Sequence, residues 1–351
     1  MISPQCRPLF IGSFPGCSHA ETVRTICAAT PDFPVWPQLP IHRSEGMIEQ
    51  FIEGLPCIDR GNGKVWIDSA ASDFDDQLLA FFEDYIRCLE DPEALTASRF
   101  ALSTETGCGL AALLAHCRTL PKTPVALKGQ VTGPVTFCTT VVDERGRAIF
   151  YNEALRDAAI KMLAMKARHQ VRLMRTVSDS VLIFQDEPGL SGFGSSAFIT
   201  VSKEDVQQAI GEVSAAIHEE GGLCGVHVCA NTEWPLLLEK DIDILSYDAF
   251  SYFDRLALYK DELTAFIRCG GLLATGIIPT APELVDQASA ADLTQKWLDQ
   301  RETLAGLGLD RQQIFAQTFI TPSCGMGSLS EGQAAKVVHL LRDVAGALRE
   351  R

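Results

Sequence analysis

Short apolar, β-prone stretches alternate with longer stretches whose apolar positions recur at helical spacing, from residue 9 to the end of the chain. No feature narrows the fold more. Parallel neighbours in a sheet need a long connection, and a helix is the usual one. Strand candidates fall at residues 9–15, 101–105, 124–131, 180–188, 225–229, 242–248, 271–279 and 313–320. Helical periodicity covers residues 75–89, 109–119, 152–176, 202–220, 256–269, 291–306 and 331–349, with a shorter run from Ser44 through Met47, Ile48, Phe51, Ile52 and Leu55. Ser202 opens its helix with Asp205 three positions on, a capping arrangement. About eight strands in such alternation most simply close into a single (β/α)8 TIM barrel, with residues 1–351 as one domain. A doubly wound open sheet is the alternative, although no GxGxxG follows any strand, which argues against its dinucleotide-binding form.

In a barrel the C-terminal ends of the strands meet at one mouth. Ser13, Thr132, Asp186, His227, Cys229, Asp248 and Cys324 are therefore expected to converge. His227 and Cys229, in Gly225-Val226-His227-Val228-Cys229, lie two residues apart on a strand and point the same way. Imidazole nitrogen and thiolate sulfur both suit a divalent metal such as zinc. The pair alone arises easily by chance in a chain with 12 cysteines and 7 histidines. It gains weight from Cys324, which follows another apolar run at a strand-to-loop turn. The plainer readings are a core histidine at 227, a helix cap or turn at Asp186-Glu187-Pro188, a turn serine at 13 and a solvated carboxylate at Glu49. Cys224 should face away from His227 into the core. Residues 16–40 are loop-rich, and a loop this long in a compact domain is more often functional than not.

The 45 acidic residues against 30 basic ones leave a formal charge of -15, which disfavours the phosphate contacts of nucleic-acid binding. No apolar run of about 18 residues suggests a membrane span, and the first ten residues do not have the pattern of a signal peptide. Without one, the 12 cysteines read as thiols in a reducing cytoplasm, most of them small buried hydrophobes.

Four short motifs in order carry a resemblance: Phe10-Ile11-Gly12-Ser13-Phe14-Pro15, then Lys128-Gly129-Gln130-Val131-Thr132-Gly133-Pro134-Val135-Thr136, then Gln185-Asp186-Glu187-Pro188, then His227-Val228-Cys229 with Ser323-Cys324-Gly325. Over most of its length the chain resembles the catalytic C-terminal domain of cobalamin-independent methionine synthase, within the superfamily that also holds uroporphyrinogen decarboxylase. The resemblance implies zinc ligands at His227, Cys229 and Cys324. It implies contacts to an amino-acid thiol from Ile11, Gly12, Ser13 and Asp186, with Glu49 meeting the substrate amine. Asp248 stands nearest to the position where the synthases supply a glutamate to the zinc. The chain departs from the family in three places. No histidine follows the seventh strand, where Ile277-Ile278-Pro279 stands. Phe137-Cys138-Thr139-Thr140 replaces the tryptophan segment that meets folate. The synthases' separate N-terminal barrel has no counterpart. These departures point toward a corrinoid, free or protein-bound, as methyl donor rather than a folate.

The implied chemistry has a physical basis. A free thiol has a pKa of about 8.5 and is mostly protonated at neutral pH. Zinc deprotonates a thiol that it binds, and catalytic zinc keeps one position for an exchangeable ligand. The expected reaction moves a methyl group onto a small-molecule thiol, homocysteine giving methionine. A zinc- or corrinoid-binding barrel without turnover, or a transferase for another thiol such as coenzyme M, are the alternatives.

Overall fold

The computed structural model describes residues 2–61, 63–194, 201–239 and 241–351. Its strands, in chain order, are β1 (Ile58–Gly61), β2 (Lys64–Ile67), β3 (Leu127–Thr132), β4 (Val181–Asp186), β5 (Leu223–Val228), β6 (Ile244–Tyr247), β7 (Leu272–Ile278) and β8 (Thr318–Pro322). β1 and β2 form a small antiparallel hairpin, which the helical periodicity around it did not suggest. β3 to β8 form one parallel sheet in sequence order, each strand paired with the next. Helices Glu153–Arg175, Lys203–Glu219 and Ala290–Gly306 lie on its crossovers, and Glu331–Arg349 follows β8. Asn152 caps the first, and Ser202 with Asp205 and Ser330 with Gln333 make capping boxes on the second and last. β3 and β7 are buried along their whole length, as strands covered on both faces must be.

The sheet is a curled six-stranded half-barrel, not the expected ring of eight regular strands. Residues 101–105 are a turn. Ser103 N donates to Thr106 Oγ1 at 3.0 Å and Thr106 N to Ser103 Oγ at 3.2 Å, so the side chains take the backbone groups that a ladder would need. The stretch around Leu9 meets the free edge of β8 through a bridge between Pro8 and Ile320, with Leu9 N donating to Ile320 O at 2.9 Å. A segment read as loop meets β3: Lys128 N donates to Pro34 O at 2.9 Å and Trp36 N to Lys128 O at 3.2 Å. The two edge segments touch each other at Ser13 and Gln38. Pro8, Pro34 and Pro37 have no N–H to donate, which limits these contacts to isolated bridges.

Leu9 and Phe33 from the edge segments pack with Leu182, Phe184, Ile244, Ala274 and Phe319 into one buried cluster, and the Phe33 and Phe319 rings meet edge to face at 4.9 Å. Between the sheet and its helices lies a larger apolar core, which includes Cys224, held by Gln185 Nε2 and Ser214 Oγ at 3.2 Å each. Two further expectations shift. The run from Ser44 gives only a short helix, Glu49–Ile52, and residues 256–269 divide between helices Ala249–Leu256 and Lys260–Arg268.

Candidate metal centre

β5 delivers His227 and Cys229, and the turn after β8 delivers Cys324. One imidazole nitrogen and the two sulfurs lie within 4.8 Å of one another. His227 is opposite Ser246 in the pairing of β5 with β6, and its Nδ1 lies 2.9 Å from Ser246 Oγ. Its Nε2 is buried and has no hydrogen-bond partner. Such an orphan is costly in a finished core and is what a metal ligand leaves behind. Burial, helped by the positive charge of Lys128, pushes the imidazole's pKa down to about 3, so it is the neutral ligand form at any ordinary pH. The two cysteines share a hydrogen bond, so the pair gives up its first proton more readily than its second. The donor set fits zinc: two sulfurs, one neutral imidazole and room for a fourth ligand.

The cluster opens into a cavity of about 370 Å³. Ile11, Ser13, Thr132, Asp186, His227, Cys229 and Cys324 all line it. Ser13 is fixed there by the Cys324 turn: Met326 N donates to Ser13 O at 2.8 Å and Gly327 N to Ser13 Oγ at 3.3 Å. A Cβ at Gly325 would sit 2.1 Å from Ser13 Oγ, so any larger residue would push that hydroxyl away from Gly327 N. Asp186 is half-buried, and its Oδ1 is shut off from solvent without a partner; burial, opposed by Lys128, raises its pKa to about 7. Lys128 donates to Ile11 O, stands 4.3 Å above the Phe184 ring and has its own pKa lowered to about 8, chiefly by burial.

Three of the residues named from sequence lie elsewhere. Gly12 is behind the wall, where a Cβ would come within 3.0 Å of the Gln130 carboxamide. Glu49 is held by Arg43 at 2.7 Å and Arg60 at 3.5 Å, and it is Glu45, not Glu49, that lines the cavity beside Asp186. Asp248 caps helix Ala249–Leu256 by accepting from Ser251 N at 2.9 Å, and the group of mutually close donors does not include it. Glu187 likewise caps a helix, Pro134–Thr140, accepting from Val135 N at 2.9 Å, Thr136 N at 2.7 Å and Thr136 Oγ1 at 2.6 Å. Sequence reasoning did not find Ser246, Lys128, Gln38, Glu45 or Met47. Only the Lys128 motif carried a signal, because a lysine inside an otherwise apolar strand has to be buried with a partner or a role.

No protein-family model and no curated protein matches the chain. Among described residues, no helix is long and apolar enough to cross a membrane. The chain is similar to the solved structure of a B12-independent methionine synthase from Shewanella sp. W3-18-1 in complex with selenomethionine, at 18% identity and a TM-score of 0.46, over 68% of this chain and 66% of that one. It therefore spans about two thirds of that structure's length. It is also similar to a methyltransferase from Methanosarcina mazei, at 14% identity and a TM-score of 0.53, over 93% of this chain and 84% of that one. At this identity the second likeness is one of fold, and it runs through nearly the whole chain.

Proposed function

We propose that the chain is a zinc-dependent thiol S-methyltransferase, with homocysteine as acceptor and a corrinoid, free or carried by a protein, as methyl donor. The observation that carries the reading is the meeting of an unpartnered imidazole nitrogen and two sulfurs on the wall of a cavity that also holds an unpartnered carboxylate oxygen. The fold it requires is that of the Methanosarcina mazei protein described as a methyltransferase. On this reading the edge segments at residues 6–13 and 33–38 stand in for the first two strands of a barrel.

His227, Cys229 and Cys324 would hold zinc, and zinc would supply the electrophile that turns an entering thiol into a thiolate at neutral pH. Ser246 holds Nδ1 of the His227 ring, which leaves the unpartnered Nε2 as the nitrogen free to take the metal. Asp186 offers its free Oδ1 to the substrate ammonium, which brings the substrate sulfur into line with the methyl group. Ile11, Met47 and Pro188 give the cavity apolar wall that keeps water from the reacting atoms. Asp248 could serve as an exchangeable fourth ligand only by moving toward the other three, and Glu49 could reach an ammonium only by leaving Arg43 and Arg60.

The test is a methyl-transfer assay with homocysteine that compares methylcobalamin with methyltetrahydrofolate, alongside zinc-edge absorption of the loaded protein. Methionine should form from the corrinoid, and homocysteine should add a sulfur to the metal's shell. A shell that homocysteine leaves unchanged would overturn thiol transfer to this acceptor. A sulfur gained from coenzyme M alone would move the acceptor to that thiol. No change with either would favour a binding barrel without turnover, a reading favoured by the buried Ile277 and Ile278, which stand where the resemblance expects a proton-donor histidine.

A further inference from the structure

A second group of metal-type side chains stands at the rim of the same cavity. His19 opens helix His19–Ala29, His42 precedes the turn at Arg43–Glu45, and Glu45 ends it. One donor atom from each lies within 4.8 Å of the other two. Glu45 is 2% exposed. Its Oε2 accepts from Leu39 N at 2.7 Å, which fixes the carboxylate and turns Oε1 toward His19 Nε2 at 2.5 Å. The His42 ring is stacked on the His19 ring at 5.4 Å and 18°, and the Nε2 of His42 makes only a long 3.4 Å contact with Cys17 O.

An ion pair between His19 and Glu45 accounts for one imidazole. It leaves unexplained why a second one, weakly held, is packed face to face with the first beside a buried carboxylate. We infer that His19, His42 and Glu45 form a second metal site, for a divalent transition-metal ion, built on two imidazoles and one carboxylate. Two nitrogens and an oxygen select first-row transition ions over magnesium and calcium, and leave positions open for water or another ligand. The backbone N–H of Leu39 is the outer partner that orients the ligating carboxylate. Binding replaces the hydrogen bond between His19 Nε2 and Glu45 Oε1 with two bonds to the ion. The ion would pin the start of the first helix to residues 39–47, the stretch that gives the cavity Pro40, Glu45, Gly46 and Met47. The inference does not depend on methyl transfer or on the thiol-rich centre.

The full chain is stripped with a chelator and titrated with Co²⁺, with uptake read by calorimetry and elemental analysis and the fold checked by circular dichroism. The native chain should bind two equivalents. The Cys229→Ser/Cys324→Ser variant should keep one, without the thiolate-to-cobalt absorption. In that background His42→Gln should weaken the remaining equivalent by more than the about 10–100-fold that loss of an outer-shell partner costs. If the double cysteine variant does not fold, the same difference is read between the native chain and His42→Gln alone. A single equivalent in the native chain that Cys229→Ser/Cys324→Ser abolishes, or an uptake that His42→Gln leaves untouched, would overturn the site.

Discussion

Ser246 Oγ lies 2.9 Å from Nδ1 of His227, directly across the pairing of β5 with β6. A neutral imidazole carries one proton, and with that proton on Nδ1 the ring donates to Ser246 and keeps its Nε2 lone pair for a metal. Ser246→Ala should therefore lower the zinc affinity of the His227, Cys229 and Cys324 centre by about 10–100-fold, at a stability cost of only about 1 kcal/mol. Competition with a chromophoric chelator reads the first quantity and urea unfolding the second. Unchanged affinity would mean that the serine does not orient the ring.

Cys324 is the proposed ligand farthest along the chain from the other two, and its turn also fixes Ser13. Cys324→Ser should lose zinc and methyl transfer together, because a neutral hydroxyl is a far poorer zinc ligand than a thiolate. Elemental analysis of the purified variant decides the point. Zinc at full stoichiometry would remove Cys324 from the ligand set, whatever happens to activity.

The meeting of His227, Cys229 and Cys324 was legible in the sequence, because strand alternation and a parallel sheet force the C-terminal strand ends to one side. What failed was legible only in part. Prolines at 34 and 37 argued for loop, and they do prevent a regular strand, yet Trp36 still pairs with Lys128. Apolar residues at 101 and 102 suggested a strand, but the hydroxyls of Ser103 and Thr106 formed a turn instead. The periodicity around Met47 found apolar positions without saying which carboxylate faces inward. Arg43 and Arg60 draw Glu49 away, while Leu39 N holds Glu45 at the wall. Ser246 had no signal of its own, since its role depends on a register that pairing alone sets.

Glu187 satisfies three donors at the start of helix Pro134–Thr140, and Gly133 leaves it room, since a Cβ there would fall 2.2 Å from its carboxyl carbon. Glu187→Ala leaves those donors buried and unpaired, and should destabilise the fold by about 3 kcal/mol or more. Zinc stoichiometry should not change. Urea unfolding that gives a loss under about 1 kcal/mol would show that water replaces the carboxylate at little cost.

His218, near the end of helix Lys203–Glu219, reaches Asp243 at 2.7 Å, and the same Asp243 oxygen accepts from Cys224 N at 2.7 Å. The hydrogen bond to Asp243 raises the histidine's pKa above the ordinary 6.5. A raised folded-state value means that the folded chain holds the proton more tightly than the unfolded one. The stabilisation is therefore complete below about pH 6.5 and fades as pH rises through the folded-state value. Both side chains are about a third exposed, so solvent screening limits the effect to about 1 kcal/mol or less. His218→Gln should lower the melting temperature at pH 6 more than at pH 9. Equal losses at the two pH values would show that the pair contributes packing and no charge.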